Sequence, residues 1–256
     1  MSNDEGEDID DEVMVTMHLD LAGSEIEAQA HVPRGLTRPR RMLPLFQAIA
    51  EVIVDRVVRS AQLAGLSVSC KAGCGACCRQ LVPISSTEAH HLREVVGALD
   101  EPRRAAIEHR FAQARRQLAD AGMLARLDSG AQRSEADLGP LAAAYFQLGI
   151  ACPFLEHESC SIHPERPLSC REYLVTSPAE RCASPATEHI DVLPLPGRVS
   201  AAVAALDESS GTRGDWIPLS LALAHADAHS EAIAARSGPQ LLGSMLGLLS
   251  GRGAPG

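Results

Sequence analysis

The eight cysteines of this 256-residue chain fall in two short segments, Cys70-x3-Cys74-x2-Cys77-Cys78 and Cys152-x7-Cys160-x9-Cys170-x11-Cys182. Random scatter would not place four thiols within nine residues and the remainder within thirty-one. The CxxC gap between Cys74 and Cys77 lets two sulfurs leave one turn toward the same ion, and the second segment can supply partners that close a tetrahedral set. Thiolates select Zn(II), Cu(I) or iron in sulfide clusters, so all eight are candidate metal ligands and the metal itself stays open. The vicinal Cys77 and Cys78 cannot both bind one ion without strain. One of them bridges, serves a second ion or stays free, and two metal sites are allowed. His163, three residues after Cys160, can complete a mixed site, with His157 and His189 as weaker candidates. The simpler reading of each histidine is a surface or loop side chain.

Residues around the thiols suit such a centre. Gly73 and Gly75 permit backbone conformations that a β-carbon resists, and N–H groups exposed in such a loop can donate to thiolate sulfur. Arg166 and Arg171 can do the same from the second segment, as donors that raise a cluster's reduction potential; a carboxylate pair or a carbonyl cap is their alternative role. Lys71, the only lysine, is attributed to coding bias in a chain with 22 arginines and takes no catalytic role. His225 and His229 stand four apart on a predicted helix, but Ala226, Asp227 and Ala228 between them lack a metalloprotease glutamate, so a solvated face is expected. A cysteine nucleophile at Cys78 or Cys182 has no local support. There is no GxGxxG after a strand and no GxxxxGK[ST], which disfavours dinucleotide and P-loop nucleotide enzymes. The run Cys70-x3-Cys74-x2-Cys77 also has the cluster spacing of radical S-adenosylmethionine enzymes. Their barrel alternates strands and helices, and no such alternation follows it here.

The elements that must position these residues read as mainly helical. Alternation over Val13, Val15, Met17 and Leu19, a turn at Ala22-Gly23-Ser24 and a second alternation over residues 26–32 predict a β-hairpin. Apolar Leu45, Ile49, Val52, Ile53 and Val57 predict a long amphipathic helix over residues 43–63 that Gly65 stops. Further helices are expected from Ser85 or Ser86 to about residue 98, over 101–127 and over 138–148. Residues 152–182, with five prolines in or just beyond them, should be mostly loop and need an internal organiser. A short Pro-bounded element at 191–198 and helices at 200–206, 218–236 and 240–249 complete the chain. Trp216 and the apolar helices near it pack as core or cover a partner protein.

Hydrophobic content of 45% with 22% charge is that of a globular chain, and 3% aromatics leave the core to Ala, Leu, Val and Ile, which suits packed helices. The net charge of −10 is concentrated: seven acids lie in the first twelve residues, leaving 26 acids against 23 bases elsewhere. There is thus no basic field for nucleic acid. No run reaches the length of a membrane span and the acidic start is unlike a signal peptide, so a cytoplasmic protein is expected. In that reducing compartment grouped thiols are metal ligands more readily than disulfides.

Cys70-x3-Cys74-Gly75-x-Cys77-Cys78, Cys152-Pro153-Phe154-Leu155, Cys160-x-Ile162, Arg166-Pro167 and Cys170-Arg171-x-Tyr173 together resemble the YkgJ-type cysteine cluster family, the zinc- or iron-chelating CxxCxxCC domain. The resemblance covers about 100 residues. It implies a ligand role for Cys70, Cys74, Cys77, Cys78, Cys152, Cys160 and Cys170, and a distant relation to flagellin lysine N-methylases, which are thought to use S-adenosylmethionine and an iron-sulfur cluster. His163 stands where the family is usually aromatic, and Cys182 is an addition. The expectation is a mainly α fold with a small N-terminal β-hairpin (α+β) around a central, loop-rich cysteine metal knot. Its divisions are an acidic tail (1–12), hairpin and long helix (13–66), metal domain (67–185), C-terminal helical region (186–250) and a tail (251–256). The expected function is cytoplasmic metal binding, as a 4Fe-4S-type iron-sulfur cluster or as zinc. Alternatives are a methyltransferase using S-adenosylmethionine on a protein side chain, with a protein partner or substrate, and a redox sensor or electron carrier.

Overall fold

A computed structural model describes residues 11–21, 24–128, 135–185, 187–206, 216–231 and 236–250. The alternating N-terminal residues form the expected antiparallel pair, β1 (Glu12–Leu21) and β2 (Ser24–Pro33), in a register that sets Val13 opposite Val32 and Met17 opposite Ala28. One face is buried through Met17 and Val32, with Val13, Val15, Ala28 and Ala30 packed beside them, while Met14 faces solvent. The turn at residues 22–23, like the tails at 1–10 and 251–256, lies outside the described residues; Glu12, expected in the acidic tail, already pairs in β1.

Helix α1 (Leu43–Leu63) buries Leu43, Phe46, Ile49, Ala50 and Ile53 against the hairpin, and Val52, counted in the apolar repeat, is exposed instead. Its end is set by Gly65 at φ +80°, a left-handed conformation that glycine adopts without steric penalty. The N–H of Leu66 there returns to the carbonyl of Ala61. After a two-residue strand β3 (Pro83–Ile84) comes α2 (Ser86–Gly97), opened by a capping box: Ser85 Oγ accepts from the Glu88 N–H, and the Glu88 carboxylate accepts from the Ser85 N–H.

The single helix expected over 101–127 is two, α3 (Glu101–Asp120) and α4 (Leu124–Asp128). Gly122 at φ +65° breaks it, and the Met123 N–H closes back onto the Leu118 carbonyl. This glycine was the signal that helical periodicity overrode. On α3 Ile107, Phe111, Ala114 and Leu118 form the buried stripe, and most charges are exposed as expected for a solvated face, but half-buried Arg110 donates to the Pro153 carbonyl and to Glu156, and Glu108 accepts from Arg93. Next comes α5 (Glu135–Gln147), which starts earlier than the periodicity suggested.

The second cysteine segment is mostly loop, with a small hairpin of β4 (Leu155–Glu156) and β5 (Ser159–Cys160) and one helical turn, α6 (Leu168–Glu172). Residues 191–198 hold no regular element; Val192 makes an isolated bridge with Val175. Then follow α7 (Val199–Leu206), β6 (Ile217–Pro218), α8 (Ala222–Ala228) and α9 (Gly238–Leu249). The helix expected from 218 to 236 is thus cut at both ends. Residues 217–218 pair with β3, the Leu219 N–H is taken by the Val82 carbonyl, and His229 is already extended; residues 232–235 lie outside the described residues.

Three apolar clusters result. The hairpin, α1, α7 and α9 enclose the first; α2, α3 and Leu219–Leu223 form the second, with Phe154 and Ile162; α3, α4 and α5 form the third, where Trp216 packs partly buried. Mainly helical with a small β part, the fold matches the expectation, and none of its described helices is long and apolar enough to cross a membrane. Replacing Ser85 with alanine removes a buried helix cap, and about 1 kcal/mol of stability should be lost in chemical denaturation. An unchanged midpoint would refute the cap's contribution.

Candidate metal centre

The first cysteine segment leaves α1 after Gly65 and runs beside the second, with the Ser69 N–H donating to the Val175 carbonyl at 2.9 Å. Gly73 at φ +82° turns the chain, and Cys77 and Cys78 then sit in a 3-10 turn, Ala76–Arg79. The second segment starts on that turn: the Cys152 N–H donates to the Cys78 carbonyl at 2.7 Å.

The hairpin β4–β5 makes the next contact. Its two-residue loop, His157 and Glu158, holds both residues at positive φ (50° and 57°), which suits the twist of a hairpin and is unfavourable for side chains that are not glycine. What holds it is Arg79, whose guanidinium donates to both carboxylate oxygens of Glu158 at 2.9 and 2.7 Å and also to the Gly75 carbonyl at 2.9 Å. These bonds keep the Glu158 carboxyl below the usual carboxylate range. Gly75 has an ordinary φ; its lack of a side chain serves close approach, since a β-carbon would stand 2.5 Å from Glu158 Oε2 and 2.8 Å from Leu155 Cδ1. Of the two glycines read as conformational, Gly73 is so and Gly75 is a contact residue.

Cys160 ends β5, Cys170 lies in α6, and buried Cys182 lies in the 3-10 turn Ala179–Ala183, which packs against Ala76–Arg79. Cys152, Cys160 and Cys170 pack on the second apolar cluster. Cys70 is exposed. The electrostatic neighbours of Cys152 are Cys170, Cys160 and Cys77, and those of Cys182 are Cys70, Cys74 and Cys77. All eight cysteines are free thiols. Burial pushes the thiols of Cys70, Cys152, Cys160, Cys170 and Cys182 above their ordinary value, and that of Cys77 is raised first by its hydrogen bond to Cys78, then by burial.

Opposing groups favour the thiolates. The N–H of Phe154 donates to the Cys152 sulfur and that of Ile162 to Cys160, each two residues on, and the N–H of Val175 donates to Cys70. Arg166 lowers the thiols of Cys70, Cys77, Cys160 and Cys170, and its buried Nε has no hydrogen-bond partner among the described residues. Such donors around an all-sulfur set fit a metal centre. Arg171, the other arginine predicted to serve the centre, is committed elsewhere: it donates to the Arg166 and Pro164 carbonyls and pairs with Glu51 on α1. Gln80, missed in the sequence, lies beside the Tyr173 hydroxyl and donates to it, and burial raises that phenol above its ordinary value among Cys182, Cys77 and Cys70. Its signal was only adjacency to the Cys77-Cys78 pair.

The histidines do not join the thiols. His163 is exposed, its imidazole held below the usual value first by the charge of Arg166; His157 is at the exposed hairpin tip, and His189 pairs with Asp191 at 3.1 Å on the surface. His225 and His229 stack at 4.3 Å, but His225 meets Ser86 at 2.9 Å and both stand near His90, in place of a purely solvated face. Among the described residues no group of three or more His, Cys, Asp or Glu side chains is already gathered for an ion. A neutral thiol packs as a small hydrophobe; only as thiolate is it a ligand. Two clefts, of about 290 and 330 Å³, lie around α8 and contain no cysteine in their linings.

Residues 69–187 match the family model CxxCxxCC, described as "putative zinc- or iron-chelating domain". Searches of curated proteins and of solved structures found no match.

Two outcomes follow from this geometry. Gly75→Ala should turn the Glu158 carboxylate and the Leu155 methyl aside and shift the Glu158 backbone slightly, so that the Arg79 fork loosens and protease cuts the β4–β5 tip faster with helix content unchanged; an unaltered cleavage rate would refute the close-approach role. Because burial raises Cys152 and Cys170, the folded metal-free chain retains protons that the unfolded chain releases above the ordinary thiol value of 9.0. Their contribution to stability is therefore present below pH 9 and lost as pH rises toward the raised folded values. Thermal melts of chelator-treated protein should fall from pH 9 upward, and a flat profile would contradict the burial of these thiols.

Proposed function

We propose that the CxxCxxCC domain formed by residues 69–187 binds a metal centre through cysteines of both segments, with Arg166 as an N–H donor to it. The observation that carries this is the docking of the second segment on the Cys77-Cys78 turn through the Cys152 N–H and Cys78 carbonyl, which brings the two cysteine-bearing segments into contact. An iron-sulfur centre is the first reading: its chemistry is reversible one-electron transfer, and the Arg166 charge and backbone N–H donors stabilise the added electron. Zinc is the second, supported by the all-sulfur surroundings and by clefts that lie away from the thiols, both apt for a closed chelating site. Eight free thiols are the form a reducing, cytoplasmic compartment maintains.

Anaerobic purification with elemental analysis and an absorption spectrum separates the two forms. Broad absorbance near about 400 nm with iron matched by acid-labile sulfide supports the cluster, and a colourless zinc protein supports chelation. Cys74→Ser and Cys160→Ser should each lower metal content sharply. Unchanged stoichiometry in both variants would overturn the two-segment centre. If the centre is redox-active, Arg166→Gln should lower its reduction potential, since the charge that stabilises the reduced form is gone; an unaltered potential would remove Arg166 from the centre.

A further inference from the structure

The smaller of the two clefts around α8, about 290 Å³, is walled by the chain entering the 3-10 turn Pro39–Met42, by α2 and by the segment that leaves α8 at His229. Its lining is largely polar and includes Arg38, Arg40, His90, Asp227, His229 and Glu231. Two of these groups are carboxylates, and arginines already engage both. Glu231 has a side chain only 8% exposed, with Oε2 3.1 Å from Arg40 Nε and 3.9 Å from Arg38 Nη1, and Asp227 accepts from Arg93 Nε at 2.8 Å. Arg40 is further held by Glu94, at 2.8 Å from its Nη1. Arg38 keeps only the 3.9 Å contact; its half-buried guanidinium makes no hydrogen bond among the described residues.

The other unmatched group is His90. It is 8% exposed, and its buried Nε2 has no hydrogen-bond partner among the described residues. A buried polar nitrogen without a partner costs free energy, so the wall is incomplete at this point. Burial, and then the charges of Arg40, His229 and Arg38, hold the imidazole below its ordinary value, with Glu94 opposing them. A neutral imidazole can carry its one proton on Nε2 and donate it. An open guanidinium fork and an imidazole N–H are donors that carboxylate and phosphate oxygens accept from, and a cleft of this size suits a small ligand.

We infer that this cleft binds a small oxyanion, a carboxylate or phosphate group, through the guanidinium of Arg38 and the Nε2–H of His90. Glu231 and Arg40 are the buried ion pair that fixes the wall on which Arg38 stands. The site contains no cysteine, so it stands or falls independently of the metal centre.

The test uses the full chain in a chloride buffer free of other oxyanions, titrated separately with inorganic phosphate and with acetate at constant ionic strength. Calorimetry reads the affinity, and NMR follows the His90 ring, assigned by its absence in His90→Phe. At least one of the two ions should saturate a single site per chain and shift the His90 signals. Saturation by phosphate alone makes the ligand phosphorylated, and saturation by acetate alone makes it a carboxylate. Arg38→Gln should weaken binding about tenfold or more, the loss expected for a charged hydrogen bond. Arg34→Gln removes the same charge from an exposed pair with Asp11 and should leave the affinity unchanged. His90→Phe should weaken binding as well. No saturation by either ion, a bound ion that leaves the His90 signals in place, or equal losses in Arg34→Gln and Arg38→Gln would overturn the site. The wild-type saturation and the His90 shift hold as tests even where His90→Phe fails to fold.

Discussion

Two peptide contacts, the Cys152 N–H on the Cys78 carbonyl and the Ser69 N–H on the Val175 carbonyl, fix how the two cysteine segments face each other. Seventy-three residues separate Cys78 from Cys152 in sequence, so nothing local brings them together. Along the chain the remaining contacts follow: the hairpin reaches Gly75, Arg79 grips Glu158, α6 carries Cys170, and the turn that holds Cys182 packs against Ala76–Arg79. The two left-handed residues of the hairpin tip are tolerable because the Arg79 fork fixes their geometry from outside.

The helices serve these contacts through buried charged groups. Glu88 satisfies the start of α2 with one oxygen and accepts from the Leu168 N–H with the other, at 2.7 Å, so the helix that caps itself also aims α6. Arg171 ties α6 to Glu51 on α1, and Glu172 accepts from Ser200 at the start of α7, with burial raising its carboxyl above the usual range. Three polar anchors, at Leu168, Arg171 and Glu172, thus set the short helix that carries Cys170. Hydrophobic burial alone could not place so short an element, because a five-residue helix has too little apolar surface to define its own orientation.

Around the thiols two influences oppose each other. Burial disfavours thiolate, while backbone N–H groups and Arg166 favour it. The donors are too few to ionise the thiols on their own, and a bound cation supplies the missing charge. That balance makes the sulfurs inert packing groups when protonated and ligands when a metal competes for them, which suits a chelating domain.

The hairpin, α1 and the capped α2 were legible in the sequence, because period-two and helical alternation and a Ser-x-x-Glu box are local signals. The resemblance carried by the cysteines and by Arg166-Pro167 was equally local and coincides with the matched domain. Tertiary structure decided the rest. Gly122 cut a helix that charges and alanines alone would extend, Pro218 was drawn into a strand by a partner more than a hundred residues away, and Arg171 and Arg166, alike in sequence, were divided between a structural clamp and a position facing the thiols. Gln80 and Glu158 gave no signal of their own. Their roles depend on which backbone arrives opposite them, and long-range approach is set by packing of the whole chain, which no window of sequence contains.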